Sequence, residues 1–382
     1  MKISWQWTAY YTVNFMTLIT SIDELPPALA ASVKAEEKKY IDEITHNASL
    51  HGKHCLPFAV TPHYASLAGP EQNDPIRRQF FPDPREALPD PFALDDPLGE
   101  CNYLAAPNLI HRYPDRALLL SSSSCAGYCR HCFRRVWLNN GIKQVYSKEL
   151  LKCIPPIIEY LAEHTEIREL LISGGDPLTL DNDYLANLFN RLRKARPDII
   201  LRVCTKVPIT EPSRLDSETV SLFIAFRPLK LSVHINHPRE LSPQSRNVFS
   251  ACTAAGIPVL VQTVLLRGIN DNAVLLAELC RTCFELGLKP YYLFQPDLAP
   301  GTAHFRVPFK SGLAIYRELA KLCSVSKSDL HNYLPVYAVD LPGGGGKIRL
   351  HDNVIAGERT TVRGNEYVLK DEKGREWYYP IE

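Results

Sequence analysis

The chain has 382 residues, 45% of them hydrophobic and 22% charged, with a formal net charge of +1. That balance fits a folded globular protein with one large domain and extensions, or two smaller domains. A near-neutral charge offers no electrostatic case for nucleic acid or an anionic membrane, and no apolar run approaches the roughly 20 residues of a membrane helix. The N-terminal stretch carries Asp23 and Glu24 without a signal-peptide cleavage pattern, so a cytoplasmic location is expected.

In chain order, residues 1–110 hold one helical segment, ELPPALAASVKAEEKKYIDEIT, and then the Pro- and Asp-rich FFPDPREALPDPFALDDPLGE, which reads as an ordered wrap or linker. From Arg116, short Val-, Ile- and Leu-rich runs alternate with helix-like segments, the sign of βαβ units and a parallel sheet. Strands are expected at 116–124, 167–176, 199–208, 229–238, 257–266 and 289–298, with helices between them that open on Ser, Asp or Asn. Six strands are too few to close an eight-stranded barrel. An open doubly wound sheet or a partial (β/α) barrel follows, and in either case ligands gather at the C-terminal strand ends. The polar motifs SSSSC, SGGDP, HINHP, QTVLLRG and QPDL each close an expected strand there. After Pro300 come a helix (PFKSGLAIYRELAKLC), a strand (LPVYAVDL), the loop PGGGGK and hairpin-like segments through NEYVLKDEKGREWYYP. The organisation is therefore an N-terminal wrap (1–110), a βα array (111–300) and a C-terminal α+β segment (301–382).

Eleven cysteines, an odd number scattered along a chain of this size, do not resemble a secreted disulfide framework. Three of them, Cys125, Cys129 and Cys132, fall within SCAGYCRHCFRR at the end of the first array strand. A structural zinc site wants four ligands, usually in two pairs. A cubane 4Fe-4S cluster held by three thiolates keeps one iron open, and an open iron can chelate a small molecule through an amine and a carboxylate. Cys280 and Cys283 form a second CxxC inside an expected helix and read as buried helix-face residues. The tetraglycine loop ends in Lys347, where glycine allows close backbone approach to a bound group. A surface turn is the plain alternative, and Ile348 after the lysine breaks the phosphate-loop pattern.

The CxxxCxxC loop with SGGDP behind it resembles the radical S-adenosylmethionine superfamily. HRYPDR, CRHCFRR, HINHP, QTVLLRGIND, QPDLAPGTAHFR and VDLPGGGGK together resemble lysine 2,3-aminomutase and its relatives over about residues 90–355. The resemblance implies a partial (β/α)6 barrel of the radical S-adenosylmethionine type. It implies a 4Fe-4S cluster on Cys125, Cys129 and Cys132, and S-adenosylmethionine contacts at Ser173, Gly174, Gly175 and Asp176, with His234 and Gln262. It further implies pyridoxal 5'-phosphate attached through Lys347, its phosphate held by Arg112 and Arg116 and its ring against Tyr113. An ordinary ion pair of these arginines with Asp115 is the alternative. Because an ammonium cannot add to an aldehyde, burial or a nearby cation is expected around Lys347.

By the same resemblance Arg134 takes the substrate carboxylate, and Asp297 and Asp340 match two acidic positions that take a side-chain ammonium. Either aspartate could instead cap a turn. The implied reaction moves the amino group of L-lysine from Cα to Cβ, with an electron donor such as flavodoxin or ferredoxin as partner. Arginine as substrate, or β-lysine supply for modification of a translation elongation factor, which Phe133 before Arg134 favours, are alternatives. A non-catalytic iron-sulfur protein is a further one. Asn272 stands where the lysine enzyme's zinc-binding cysteine is expected, and no cysteine follows Cys323, so no such zinc is expected and the family's usual homo-oligomer is left open.

Overall fold

The computed structural model describes residues 16–46, 55–139, 147–323, 333–371 and 373–381. The first fifteen residues, part of the stretch read above for a leader, lie outside the described residues. A ten-stranded sheet takes its strands in sequence order: β1 (Leu104–Ala106), β2 (Leu109–Tyr113), β3 (Arg116–Ser122), β4 (Glu169–Gly174), β5 (Ile200–Thr205), β6 (Leu229–His234), β7 (Val259–Val264), β8 (Lys289–Phe294), β9 (Val336–Leu341) and β10 (Gly346–Arg349). β3 through β9 are parallel, while β1, β2 and β10 pair antiparallel at the two edges. The result is an α/β fold. A doubly wound sheet reverses its strand order at a switch point. No reversal occurs here, which removes that alternative.

Each parallel step is bridged by a helix, and local chemistry starts most of them. The side chains of Asp181, Asp216 and Ser242 accept N–H bonds at the starts of helices Asn182–Ala195, Ser217–Ala225 and Pro243–Ala254. Asn272 caps helix Ala273–Glu285 by accepting from the N–H groups of Val274 and Leu275, and both Cys280 and Cys283 are buried on that helix. One face of the parallel strands is apolar, with Leu170, Ile172, Leu201, Val203, Leu231 and Val233 all buried, while the alternate positions on the other face are mostly polar and include Glu169, which pairs with Arg202 and Lys230 on the next strands.

Two expectations change. The single N-terminal helix is two, Pro27–Ala31 and Ala35–His46. Side chains compete with the helical ladder at the break: Ser32 Oγ donates to the Leu29 carbonyl, and Glu37 accepts from the Lys34 N–H. The strand read at LPVYAVDL joins the same sheet as β9, a seventh parallel strand, so the glycine loop between β9 and β10 sits at the sheet edge. A separate three-stranded antiparallel sheet, β11 (Ile355–Thr361), β12 (Gly364–Lys370) and β13 (Glu376–Pro380), packs through Tyr367, Leu369 and Tyr379 onto Phe309 and Tyr337 in a second core.

The Pro- and Asp-rich wrap carries a structural centre. Glu86, fully buried, accepts from Nε and Nη2 of Arg130 and from Nη2 of Arg135, both also fully buried. Arg130 further donates to the carbonyls of Leu56 and Pro57, and Arg135 to those of Arg130 and Gly301. Burial alone would raise the Glu86 carboxyl, but the two guanidiniums outweigh it and bring it down to about 2. Among the described residues no helix is long and apolar enough to cross a membrane.

Candidate active site

The cysteine loop leaves β3 at Ser122 and is clamped from outside. Tyr128 N–H donates to the Ala59 carbonyl and Arg130 N–H to that of Gln79, while Arg130 and Arg135 anchor its far end on Glu86. Cys125, Cys129 and Cys132 thereby line one pocket at the C-terminal ends of the parallel strands. Burial raises all three thiols, Cys132 to about 11, and each of Cys125 and Cys132 is pushed further by a neighbouring cysteine. Three half-buried thiols facing one pocket, two of them raised by a neighbouring cysteine, fit a cationic metal cluster, which replaces their protons.

Opposite the loop stand Ser173 and Gly174, which end β4, and Gly175 and Asp176, which follow it. A Cβ on Gly175 would lie 2.3 Å from the Ser124 carbonyl oxygen and 3.1 Å from Cys125 Sγ, so only glycine lets the two loops meet. The Asp176 carboxylate is occupied by the fold: it accepts from Thr205 Oγ1 and from the N–H groups of Leu178, Lys206 and Val207. His234 lines the pocket, and burial, reinforced by Lys206, lowers it to about 4, so it is a neutral imidazole. Gln262 pairs with His234 in register across β6 and β7 but is not part of the pocket lining. Lys206 reaches the pocket too, its ammonium bonded to Glu240 and Gln79.

At the sheet edge, Lys347 is the second residue of β10, directly opposite Asp340 on β9, and Lys347 Nζ lies 3.7 Å from Asp340 Oδ2. The same nitrogen sits 4.4 Å from the Tyr292 ring centre and 4.3 Å from that of Phe294. The surroundings differ from expectation: the Lys347 side chain is 26% exposed, and the charged group beside it is a carboxylate rather than a cation. Tyr113 Oη accepts the Lys347 N–H at 3.0 Å. Arg112 donates Nη1 to the Leu98 carbonyl, while its Nη2 is buried with no partner, an orphaned donor beside the glycine loop. Such a donor fits an incoming phosphate oxygen. Arg116 is in a two-bond ion pair with Asp115, the plainer of its two readings.

Arg134 lines the cysteine pocket, and its Nε and Nη2 are both taken by the Glu100 carboxylate. Asp297 lines the same pocket, half-buried, and is raised well above the ordinary carboxyl range, first by desolvation, then by Asp340 and Glu100, with Lys347 and Arg134 opposing. It thus senses both the lysine loop and the cysteine pocket. Glu100, Glu86 and Glu240 were invisible as site residues in the sequence. The only available signal was a glutamate closing the motif DPLGE in a stretch read as linker.

A family model described as a 4Fe-4S single cluster domain matches residues 116–213. An L-lysine 2,3-aminomutase of Acetoanaerobium sticklandii is 35% identical over 89% of this chain and 79% of its own. One of Clostridium subterminale is 35% identical over 78% of this chain and 70% of its own. A glutamate 2,3-aminomutase of Clostridioides difficile is 33% identical over 94% of this chain and 79% of its own. Sharing this identity along most of its length, with the three-cysteine pocket at its strand ends, the chain belongs to the lysine 2,3-aminomutase family of radical S-adenosylmethionine isomerases.

Proposed function

We propose that the protein is a pyridoxal phosphate-dependent aminomutase that converts L-lysine to β-lysine inside a partial (β/α) barrel formed by its sequentially ordered strands. The observation that carries this is Asp297: one half-buried carboxyl lines the three-cysteine pocket and feels the charges of both Asp340 and Lys347. When bound, the cluster and S-adenosylmethionine would supply the radical chemistry, and pyridoxal phosphate would supply an aldehyde carbon to hold the substrate nitrogen as it moves from Cα to Cβ.

The chain's own residues bind, orient and exclude water. Cys125, Cys129 and Cys132 hold the cluster. Ser173, Gly174 and Gly175 form the wall against S-adenosylmethionine, with Asp176 bracing that turn and neutral His234 and Gln262 at the next strand ends. The orphaned Arg112 donor and Arg116 take the phosphate, Tyr113 lies along the ring, and Lys347 is the attachment amine. Arg134 takes the substrate carboxylate. Asp297 and Asp340 take the side-chain ammonium, since two adjoining carboxyls strongly favour a cationic side chain over an acidic one. A low-potential donor such as flavodoxin or ferredoxin is required for the electron.

The test is an anaerobic assay of reconstituted protein with S-adenosylmethionine, pyridoxal phosphate, dithionite and L-lysine, read by mass spectrometry. β-Lysine is expected, and it should vanish in Cys129→Ala and Lys347→Ala. Cleavage of S-adenosylmethionine without β-lysine would overturn the substrate and turn attention to arginine. A cluster-loaded protein that never develops imine absorbance would overturn the pyridoxal phosphate assignment.

A further inference from the structure

Residues 96–103 form a strap between the two halves of the site. The Asp96 carboxylate accepts the N–H groups of Glu100 and Cys101 and fixes a tight turn. The strap is keyed to the glycine loop: Gly343 N–H donates to the Pro97 carbonyl, Tyr103 Oη to that of Gly344, and a Cβ on Gly99 would lie 2.7 Å from Gly343 C and Gly344 N. From this turn Glu100 reaches Arg134 and occupies its Nε–Nη2 edge, with Arg134 Nη1 directed at Ser173 Oγ, 3.3 Å away. A guanidinium carries five N–H groups. Three are used here, and one N–H on each terminal nitrogen remains to donate to a carboxylate.

We propose that Glu100 is a positioning residue for substrate recognition: by holding one edge of Arg134 it presents the remaining N–H groups to the α-carboxylate of an amino acid, in register with the Lys347 loop to which its own strap is tied. This rests on the assignment of Arg134 as the carboxylate partner. Glu100 and the substrate then flank one guanidinium from two sides, and the substrate's distance from Lys347 is set by the strap. The opposite role, a carboxylate that blocks Arg134 until displaced, makes the reverse prediction.

The test is calorimetric binding of L-lysine and of L-lysinamide, which lacks the carboxylate charge, to enzyme loaded with cluster, S-adenosylmethionine and pyridoxal phosphate but without reductant. Wild type should prefer lysine by about tenfold or more, as two charge-assisted bonds imply. In Glu100→Ala and the isosteric Glu100→Gln, the preference should shrink at least about fivefold through weaker lysine binding, with cofactor absorbance unchanged. Tighter lysine binding in the variants would make Glu100 a blocker and overturn the inference, as would an unaltered preference. Loss of cofactor absorbance in both variants would make Glu100 a scaffold for the loop and overturn it as well. A wild type with no preference would overturn the Arg134 assignment itself and this inference with it.

Discussion

Replacing Glu86 by glutamine should loosen the cysteine loop without touching a thiol. The substitution keeps the side chain's size and removes a carboxylate bonded to both Arg130 and Arg135, each fully buried. Lowering of the Glu86 carboxyl from 4.5 to about 2 corresponds to about 3 kcal/mol, at about 1.4 kcal/mol per pH unit. Breaking a buried ion pair by removing one partner costs about 3–5 kcal/mol by independent measure. Against a total stability of about 5–15 kcal/mol that is a large fraction. Because the folded carboxyl is depressed, its stabilisation is fully present above its ordinary value of 4.5 and is lost as the pH falls through about 2. Denaturant unfolding should therefore show Glu86→Gln less stable by about 3 kcal/mol at neutral pH, with a smaller acid-induced loss between those limits than wild type. Iron and sulfide content after reconstitution should fall with it. A variant that unfolds within about 1 kcal/mol of wild type and takes up full iron would refute the argument that this triad holds the loop.

Gly175→Ala places a methyl group 2.3 Å from the Ser124 carbonyl oxygen, so Cys125 must move, and iron per protein should drop sharply while the far-UV spectrum is kept. Full iron loading would show that the two loops can separate at no loss. Asp297 is raised well above the ordinary carboxyl range, chiefly by burial and then by Asp340. Engaging a substrate ammonium requires its carboxylate, so lysine binding should release up to about one proton and tighten as pH rises. Calorimetry in buffers of different ionisation enthalpy reads that proton, and Asp297→Asn should abolish it. Tyr113→Phe removes the acceptor for the Lys347 N–H, a neutral bond of about 1 kcal/mol. Affinity for pyridoxal phosphate should weaken about fivefold by absorbance titration, and an unchanged affinity would mean that the loop is held by its other contacts.

The parallel array was legible because its strands are short, apolar runs between capped helices, and each expected strand from 116–124 to 289–298 contains one observed strand, β3 to β8. The extension by β9 was not, since nothing in LPVYAVDL says which sheet it joins. That depends on pairing with β8 across a helix of fifteen residues. Cys125, Cys129 and Cys132 were legible through spacing alone, and the structure brings them to one pocket. Glu86 and Glu100 were hidden because a glutamate in a Pro-rich stretch has no local signature. Their meaning comes from arginines 44, 49 and 34 residues away, one ion pair at a time. Arg116 shows the converse: a motif arginine whose visible partner is its own neighbour, Asp115.

The bonds that seat the glycine loop join residues far apart along the chain: Tyr103 to Gly344 across 241 positions and Tyr113 to Lys347 across 234. The cysteine loop is clamped by residues 56–86, which all precede it, with Gly301 the later exception. Loop closure of that length gains nothing until the intervening strands have stacked in order, since long-range contacts form late and against chain entropy. During synthesis the thiol pocket is therefore largely framed while the last strands are still unmade. The amine of Lys347 can meet its neighbours only once β9 and β10 exist, so along the chain the cysteine half of the site is written well before the lysine half.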